Sequence, residues 1–289
     1  MATRPNLIAI VGPTASGKTS LAIRIAERFD CEIICADSRT VYAGMDVGTA
    51  KPTPEERAKV PHWGLNIVRP DQPYSAADFK RYANEVIADI RSRGKTPLLV
   101  GGTGLYVDAV LYDYQFGPPA DPSVRHKLEL LTIDQLQRYC NQHNVKLPVN
   151  DKNKRHLVRA IERASISTIG KSSLQQYAHI VGIATNMETL RTRIVLRSEQ
   201  LFQNDVVGEA TLLGKKYGWE SEAMTGNIYP LIKSYLEGEL TIQEIKERFT
   251  TLDYRLAKRQ MTWLRRNPDI MWADVTGAEE YIKSLLAAE

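Results

Sequence analysis

The sequence predicts an α/β fold in which a parallel sheet carries a helical insertion, and three observations support this. Residues 7–11 form a short apolar run, which is followed at once by a glycine-rich segment and a helical pattern. Apolar runs at 32–36 and 97–100 continue the alternation of strand and helix that is typical of parallel sheets. Strand signals then stop between about 121 and 177, where only helical patterns follow. The predicted fold class is an α/β core of the phosphate-loop (P-loop) nucleoside-triphosphatase type with a helical insertion domain.

The first strand is followed by a phosphate-binding pattern. Residues 12–19 read GPTASGKT and match G-x-x-x-x-G-K-[ST] at every fixed position. In such a loop the backbone N–H groups surround phosphate oxygens at a helix N-terminus, the lysine adds a point charge, and the Ser/Thr hydroxyl can bind Mg²⁺. The pattern does not say which phosphate is bound, since kinases, NTPases and some transferases all use it. The predicted phosphate-binding residues are Gly12, Thr14, Ala15, Ser16, Gly17, Lys18 and Thr19, with Thr19 as the magnesium ligand.

Polar residues follow the next two predicted strands. The run 32–36 leads into Asp37-Ser38, and the run 97–100 leads into Gly101-Gly102-Thr103-Gly104. Open α/β sheets bind ligands beyond the carboxyl ends of their strands, so we expect these residues beside the glycine-rich segment. An ATPase commonly places a metal-binding Asp at such a strand end. Gly-Gly-Thr in that place weighs against an NTP-hydrolysing motor.

The other elements follow from capping and periodicity. Residues 40–74, rich in Gly, Pro and aromatics, are predicted to be long functional loops. Ser75 with Asp78 resembles a capping box that opens a helix to about Arg93. Strands are predicted at 180–184 and near 270–272, and a terminal helix follows. Further helices are predicted at 123–131, 133–143, 154–164, 187–204, 206–217, 228–237, 241–249 and 251–266. The predicted domains are a core of residues 1–120 and 178–289 and a helical insertion of residues 121–177.

Composition and charge narrow the class of protein. Hydrophobic residues make up 43% and charged residues 25%, and no apolar run approaches the roughly 20 residues of a membrane span. The N-terminus runs straight into the first strand, so we expect no signal peptide. Three cysteines are few and odd in number, which favours a reducing compartment, the cytoplasm, without disulfides. The net charge is only +4, but two basic clusters indicate either a nucleic-acid footprint or solvated helix faces. They are Lys152, Lys154, Arg155, Arg159 and Arg163, and Arg255, Lys258, Arg259, Arg265 and Arg266.

Several segments, in order, resemble the tRNA dimethylallyltransferase (tRNA isopentenyltransferase) family. They cover nearly the whole chain, and the second, fifth and last are long and specific. They are GPTASGKT (12–19), ADSRTVYAGMDVGTAKP (36–52), PHWGLNIV (61–68), YSAADF (74–79), LLVGGTGLYVDAVL (98–111), DPSVR (121–125), RHLVRAIE (155–162), LRTRIVLR (190–197) and LAKRQMTWLRR (256–266).

The chain also departs from the family pattern. It resembles a divergent member in which the catalytic core is intact and parts of the tRNA-contact surface have drifted. The departures are Thr40 for Gln, Trp63 for His, Asn66 for Asp, His156 for Arg, Ile228-Tyr229 for Gly-Tyr, and Asp253-Tyr254 for Thr-Arg.

The resemblance implies transfer of a dimethylallyl group from dimethylallyl diphosphate to N6 of the adenosine 3′-adjacent to the anticodon, with Mg²⁺. Asp37 is implied as the general base, and Lys18 and Thr103 complete the catalytic set. A structural or Mg²⁺-linked carboxylate stays an alternative for Asp37, and a plain turn residue for Thr103. Arg193 is implied to reach the diphosphate, and Arg197, one helical turn later, shares or replaces that role unless it belongs to an ordinary basic helix face.

The resemblance further implies contacts with the tRNA anticodon stem-loop, whose target base must leave the stack. Trp263 either stacks on RNA or anchors its helix, whereas Lys258 and Arg265 suit phosphates. We expect a monomer without a membrane partner. The implied tRNA contacts are Asp37, Ser38, Arg39, Thr40, Thr103, Arg125, Arg155, Arg159, Lys258, Arg259, Gln260, Thr262, Trp263 and Arg265.

Three other functions share part of this pattern. A P-loop small-molecule kinase has the same loop and strand-end Asp, but GGTGLY and KRQ-x-TW have no obvious place in it. A non-catalytic RNA-binding protein with a degenerate loop is opposed by the intact Lys18, Thr19 and Asp37. An adenylate isopentenyltransferase would use a free nucleotide, whereas the basic C-terminal helix favours tRNA.

Overall fold

The structure is a computed structural model that describes residues 6–117, 121–164 and 172–287. The chain divides into two compact units. The core unit comprises Met1–Asp113 and Ser173–Glu289, and the helical unit comprises Tyr114–Ser172. The helical unit thus begins and ends a few residues earlier than the insertion predicted at 121–177.

The core unit contains a six-stranded sheet. Its strands are β1 Leu7–Val11, β2 Cys31–Ala36, β3 His62–Trp63, β4 Thr96–Gly101, β5 Ala178–Ile183 and β6 Ile270–Ala273. They run parallel in the order β3-β2-β4-β1-β5-β6. Every residue of β1, β2 and β4 is buried, which is why these strands read as continuous apolar runs in the sequence. The predicted α/β class with a parallel sheet is confirmed.

The register of the sheet brings three strand ends together. Gly101 pairs with Val11 on one side and with Ala36 on the other. A Cβ at Gly101 would lie 2.0 Å from the Ala36 carbonyl oxygen, so this close approach requires glycine. Asp37, Gly102 and the segment that we call the glycine loop (residues 12–17) therefore leave the sheet side by side at its carboxyl edge.

Helices α1 and α12 cover one face of the sheet. Leu21, Ile25 and Ile282 pack against Ile8 and Ile10 in one core cluster, which places α1 and α12 on that face. The helices of the core unit are α1 Lys18–Phe29, α2 Pro54–Lys59, α3 Ala76–Ser92, α4 Gly104–Leu111, α8 Met187–Gln203, α9 Val206–Tyr217, α10 Tyr229–Leu236, α11 Ile242–Leu264 and α12 Val275–Leu286, numbered to include the three helices of the helical unit.

Two sequence predictions about the core unit need correction. The two helices predicted at 241–249 and 251–266 are one helix, α11. The region 40–74, predicted as loops, also contains β3 and the short helix α2, which begins with a capping box between Thr53 and Glu56. The capping box of Ser75 and Asp78 at the start of α3 is confirmed.

The helical unit consists of three helices around a small core of its own. Its helices are α5 Pro122–Leu130, α6 Ile133–Gln142 and α7 Lys154–Ala164. The buried side chains are Leu128, Leu136, Cys140, Leu157, Val158 and Ile161. The predicted helices at 123–131, 133–143 and 154–164 are confirmed to within a residue. Across the three described ranges of the chain, no helix is both long and apolar enough to cross a membrane.

Candidate active site

The glycine loop is shaped by two residues with left-handed backbone conformations. Gly17 has φ 92° and Ala15 has φ 61°. The Ser16 amide donates to the Pro13 carbonyl at 3.2 Å, which closes the turn before α1 begins at Lys18. The Ser16 hydroxyl is fully buried and has no hydrogen-bond partner among the described residues. The loop thus presents the amides at the start of α1, where the helix dipole favours an anion.

Lys18 lies across this loop. Its Nζ donates to the Pro13 carbonyl at 3.1 Å. Burial lowers the pKa of Lys18 from 10.5 to about 8, against the opposing attraction of Asp37, and Arg197 lowers it further. An anion bound at the loop would raise this pKa again, because the depressed value marks a cation that lacks a full counter-charge.

Two arginines of α8 reach the glycine loop. Arg193 Nη1 donates to the carbonyls of Ala15 and Ser16, at 3.3 and 3.0 Å. Arg197 Nη1 donates to the Thr14 hydroxyl at 2.9 Å, and its Nη2 donates to the Thr49 carbonyl at 3.2 Å. The structure therefore brings both arginines to the loop, as the diphosphate assignment requires.

Asp37 and Thr103 are linked through the segment after β2. Asp37 Oδ1 accepts a hydrogen bond from the Arg39 amide at 2.8 Å, which fixes the carboxylate. The Ser38 amide donates to the Thr103 hydroxyl at 3.1 Å. Thr103 thereby connects the ends of β2 and β4, while its hydroxyl hydrogen can still be donated to another group.

The other residues of the segment after β2 also have partners. Arg39 Nη1 donates to the Glu222 carbonyl at 2.9 Å, and the buried Thr40 donates from its hydroxyl to the Asp37 carbonyl at 3.4 Å. These bonds hold the backbone around Asp37. Thr40 therefore helps to hold the backbone of Asp37, and its predicted contact with tRNA stays a prediction.

The C-terminal part of α11 contacts the glycine loop. Gln260 Oε1 accepts from the Thr14 amide at 2.8 Å. The Trp263 indole N–H donates to Asp108 Oδ2 at 2.8 Å, and the ring lies where a Cβ on Gly104 would be, at 2.1 Å. Trp263 therefore anchors α11 to α4, although 39% of it remains exposed.

The remaining residues of α11 and its C-cap that are predicted to contact tRNA lie on exposed surface. Lys258, Arg259, Thr262 and Arg265 are all exposed. The Thr262 hydroxyl donates back to the Lys258 carbonyl at 2.9 Å, and the Lys258 ammonium lies 4.7 Å from the centroid of the Tyr254 ring. Their contact with RNA stays a prediction.

A buried carboxylate of α11 also faces this site. Asp253 is 3% exposed, and its Oδ1 accepts from the Asn227 amide at 2.7 Å. Its Oδ2 lies 3.8 Å from Arg197 Nε and has no hydrogen-bond partner among the residues described. Burial raises the pKa of Asp253. A negative charge here partly neutralises the arginine that also contacts Thr14.

These groups surround one cavity of about 300 Å³ within the core unit. Its walls include Lys18, Thr19, Asp37, Thr103, Arg197, Asp253 and Gln260. A neighbouring groove shares Lys18, Thr19 and Arg197 with this cavity and adds Arg193. Cations, two carboxylates and loop amides thus meet around a volume that fits a small phosphorylated ligand beside a base.

The helical unit holds the other predicted tRNA contacts. Arg125 Nε and Nη2 pair with Glu162 at 2.7 and 2.9 Å, and Arg159 Nη1 reaches the same carboxylate at 3.1 Å. Arg155 is exposed. Arg125 and Arg159 are thus fixed on one side of this unit, and their contact with tRNA stays a prediction.

Sequence reasoning missed three residues that shape the site. Glu209 binds three consecutive backbone amides of the loop after Met45. Asn227 holds Asp253. Thr49 accepts from Arg197 through its carbonyl. None of the three carried a sequence signal, because each contact joins segments far apart in the chain.

Comparisons with known proteins identify the family. The family model described as IPP transferase matches residues 40–267, and the one described as isopentenyl transferase matches residues 5–62. The tRNA dimethylallyltransferase of Bacillus licheniformis is 34% identical over 95% of this chain and 92% of its own, and tRNA dimethylallyltransferase 2 of Geotalea uraniireducens is 39% identical over 93% and 92%.

A solved structure agrees with these relatives. The full-length tRNA isopentenylpyrophosphate transferase of Bacillus halodurans superposes with a TM-score of 0.74 at 32% identity, over 97% of this chain and 96% of its own. The matches span almost all of both chains, so the resemblance seen in the sequence is confirmed. The chain belongs to the tRNA dimethylallyltransferase (IPP transferase) family.

Proposed function

We propose that the chain is a transferase that moves a dimethylallyl group from dimethylallyl diphosphate to N6 of the adenosine 3′-adjacent to the anticodon of tRNA. The observation that carries this proposal is one cavity lined by Lys18, Arg197 and Asp37, which supplies cations for a leaving group and a carboxylate for a proton. Family membership supports this over the P-loop kinase alternative, because the named relatives are transferases acting on tRNA.

The core works, in this proposal, as a P-loop type core that binds a diphosphate. The amides at the start of α1, with Lys18 and Arg197, face the charge that develops on the leaving oxygens as the carbon–oxygen bond breaks. Arg193 adds a second guanidinium at the loop. Electrostatic stabilisation of this kind costs little reorganisation, because the groups are already fixed by their neighbours.

Magnesium fits the same site. Hard cations such as Mg²⁺ prefer oxygen ligands, and the Thr19 hydroxyl and the Asp37 carboxylate line the same cavity. Thr19 would hold the ion through its hydroxyl oxygen. Among residues 6–117, 121–164 and 172–287, no group of three or more His, Cys, Asp or Glu side chains could hold a metal by itself. The bound ion would neutralise charge on the diphosphate.

Asp37 serves as the general base. The exocyclic N6 is a weak nucleophile because its lone pair is delocalised into the ring. As N6 forms a bond to the allylic carbon, the carbon–oxygen bond to the diphosphate breaks and an N6 proton moves to the Asp37 carboxylate. The Arg39 amide holds Oδ1 at 2.8 Å and so orients the carboxylate for this transfer. Thr103, held by the Ser38 amide, positions the base and its target.

The tRNA is recognised, in this proposal, through its anticodon stem-loop. The target base leaves the stack to enter the cavity, as enzymes that modify a base require. Positive charge for the RNA backbone comes from Arg125, Arg155 and Arg159 of the helical unit, from Lys258 of α11, and from Arg265 at the C-cap of α11. The enzyme acts as a monomer in the cytoplasm.

One labelling experiment tests the proposal. The protein is incubated with labelled dimethylallyl diphosphate, Mg²⁺ and unmodified tRNA, with AMP and ATP as alternative acceptors. Label in tRNA supports the proposal, whereas label in AMP or ATP indicates the adenylate enzyme. Release of ADP from ATP indicates a kinase, and tRNA binding without any transfer indicates a non-catalytic RNA-binding protein.

A further inference from the structure

Three consecutive backbone amides bind one carboxylate beside the cavity. Glu209 of α9 accepts from the amides of Asp46 and Val47 on Oε2, at 2.7 and 2.6 Å, and from the amide of Gly48 on Oε1, at 2.8 Å. These amides belong to a segment without helix or strand, which we call the 46–50 loop. Charge-assisted hydrogen bonds of this kind are stronger than neutral ones, so the Glu209 carboxylate holds the backbone of the 46–50 loop in place.

A buried tyrosine completes this arrangement. The Tyr229 hydroxyl donates to Glu209 Oε1 at 2.9 Å, and Tyr229 is fully buried. A Cβ at Gly48 would lie 2.5 Å from the Tyr229 oxygen and 3.0 Å from Ile228 Cγ2. The loop therefore rests directly on α10, and only glycine fits at its contact point.

The 46–50 loop in turn holds a cation of the cavity. Gly48, Thr49 and Ala50 line the cavity, and the Thr49 carbonyl accepts from Arg197 Nη2 at 3.2 Å. The same guanidinium donates to the Thr14 hydroxyl. Glu209 is thus joined to the cavity through the loop backbone and Arg197, although the carboxylate itself is bound to the loop.

We infer that Glu209 is a positioning residue for binding of the diphosphate, because it holds the 46–50 loop where Thr49 orients Arg197. This inference rests on the proposed function for the identity of the ligand, a diphosphate ester. The binding of three loop amides by the Glu209 carboxylate does not depend on the proposed function.

Glu209→Gln changes the hydrogen bonds to the 46–50 loop with the smallest change in side-chain shape. Each carboxylate oxygen accepts two hydrogen bonds, whereas glutamine has one oxygen and an NH₂ group that cannot accept. If the glutamine oxygen keeps Asp46 and Val47, its NH₂ group faces the Gly48 amide, and the loop must move. Gly48→Ala displaces the same loop without touching Glu209, so it serves as an independent second variant. Glu199→Gln is the matched control, because Glu199 lies on α8 and forms an exposed ion pair with Lys246 of α11.

The readouts separate positioning from stability. We expect Glu209→Gln to weaken binding of inorganic diphosphate, measured by calorimetry, and to raise the KM of dimethylallyl diphosphate, each about tenfold, while the KM of tRNA stays within about twofold. Gly48→Ala should act in the same direction, and Glu199→Gln should change neither quantity. A purely structural role would reduce the amount of folded enzyme and leave both KM values unchanged.

Two further outcomes keep the inference open to refutation. In the wild-type protein, the amides of Asp46, Val47 and Gly48 should be protected from hydrogen exchange despite lying outside helix and strand; exchange at the rate of an open chain overturns the inference. Wild-type-like affinity for diphosphate in both Glu209→Gln and Gly48→Ala overturns it as well. If the wild-type protein binds diphosphate but modifies no tRNA, the proposed function fails, whereas the two tests of Glu209 remain valid.

Discussion

The charge of Lys18 is expected to cost the folded protein stability at neutral pH. Burial lowers its pKa from 10.5 to about 8, so folding opposes the ammonium form. Since one pKa unit is worth about 1.4 kcal/mol, the full cost at pH 7 is about 3 kcal/mol. Water reaches part of the side chain, so about 2 to 3 kcal/mol is the realistic range. We therefore expect Lys18→Met to stabilise the protein.

The hydrogen bond that is lost offsets part of this gain. Lys18 Nζ donates to the Pro13 carbonyl, and such a bond contributes about 1 kcal/mol net. The expected net gain of Lys18→Met at pH 7 is then about 1 to 2 kcal/mol. The same variant should lose most of its affinity for inorganic diphosphate, because its point charge at the loop is gone. Higher stability with lost binding is typical of a substitution in a functional site.

The shifted pKa also predicts how the stability difference between the two proteins changes with pH. Between about 8 and 10.5 the unfolded chain keeps a proton on Lys18 that the folded protein has released. Wild-type stability therefore rises with pH across this interval relative to the variant. The advantage of Lys18→Met is present in full below pH 8 and is largely lost by pH 10, where the lost hydrogen bond leaves the two proteins about equal.

Urea unfolding of both proteins at pH 7 and pH 10 measures this difference. Exposed Lys215 of α9 provides the control, since Lys215→Met removes a lysine without removing a buried charge. The reasoning is refuted if Lys18→Met is no more stable than wild type at pH 7. It is refuted equally if the gain persists unchanged at pH 10, because a gain from packing alone would not depend on pH.

Three further outcomes are expected. Asp37→Asn should lower the rate of transfer to tRNA about 10²–10⁴-fold while binding of inorganic diphosphate survives, and a near-normal rate contradicts the role of general base. Asp253→Asn should be more stable than wild type at pH 7, because burial raises the pKa of Asp253 and so opposes its charged form in the folded protein. This gain in stability should disappear as the pH falls through about 4, where Asp253 becomes protonated in both states. Equal urea midpoints of the two proteins at pH 7 would count against this. Raising salt from about 50 to 200 mM should weaken tRNA binding at least tenfold, and less so after Lys258 and Arg265 are replaced by Ala; a flat salt response in a filter-binding assay contradicts the phosphate contacts.

Much of the fold could be predicted because its signals are local. The buried strands read as apolar runs, and the glycine loop lies between a strand and a helix, so the order of elements at the carboxyl edge follows from the chain. The break predicted in α11 shows where local signals mislead. Thr250 and Thr251 are β-branched and interrupt the helical pattern, but their hydroxyls donate to the carbonyls of Lys246 and Glu247, one turn earlier, and the helix continues.

The supports of the site could not be predicted, because each is a contact between distant segments. Gln260 binds the Thr14 amide across 246 residues, and Glu209 binds the 46–50 loop across more than 160. Neither pairing leaves a pattern within a short window of sequence. Gln260 therefore holds the glycine loop, and its predicted contact with tRNA stays a prediction.

Two departures from the family pattern change the charge of a hydrogen-bonded side chain. Asn66 accepts from the buried Lys51 at 2.6 Å, beside Asp46 at 2.9 Å, so an amide in place of a second carboxylate leaves one negative charge for one positive charge. Asp253 does the opposite, because it adds a carboxylate next to Arg197. The cavity is therefore one unit of charge less favourable to an anion than a threonine at that position would make it. Since an unpaired buried carboxylate is costly, its persistence depends on Asn227 and Arg197 together. Drift at this position thus acts on the charge of the cavity, and not on the exposed basic surface alone.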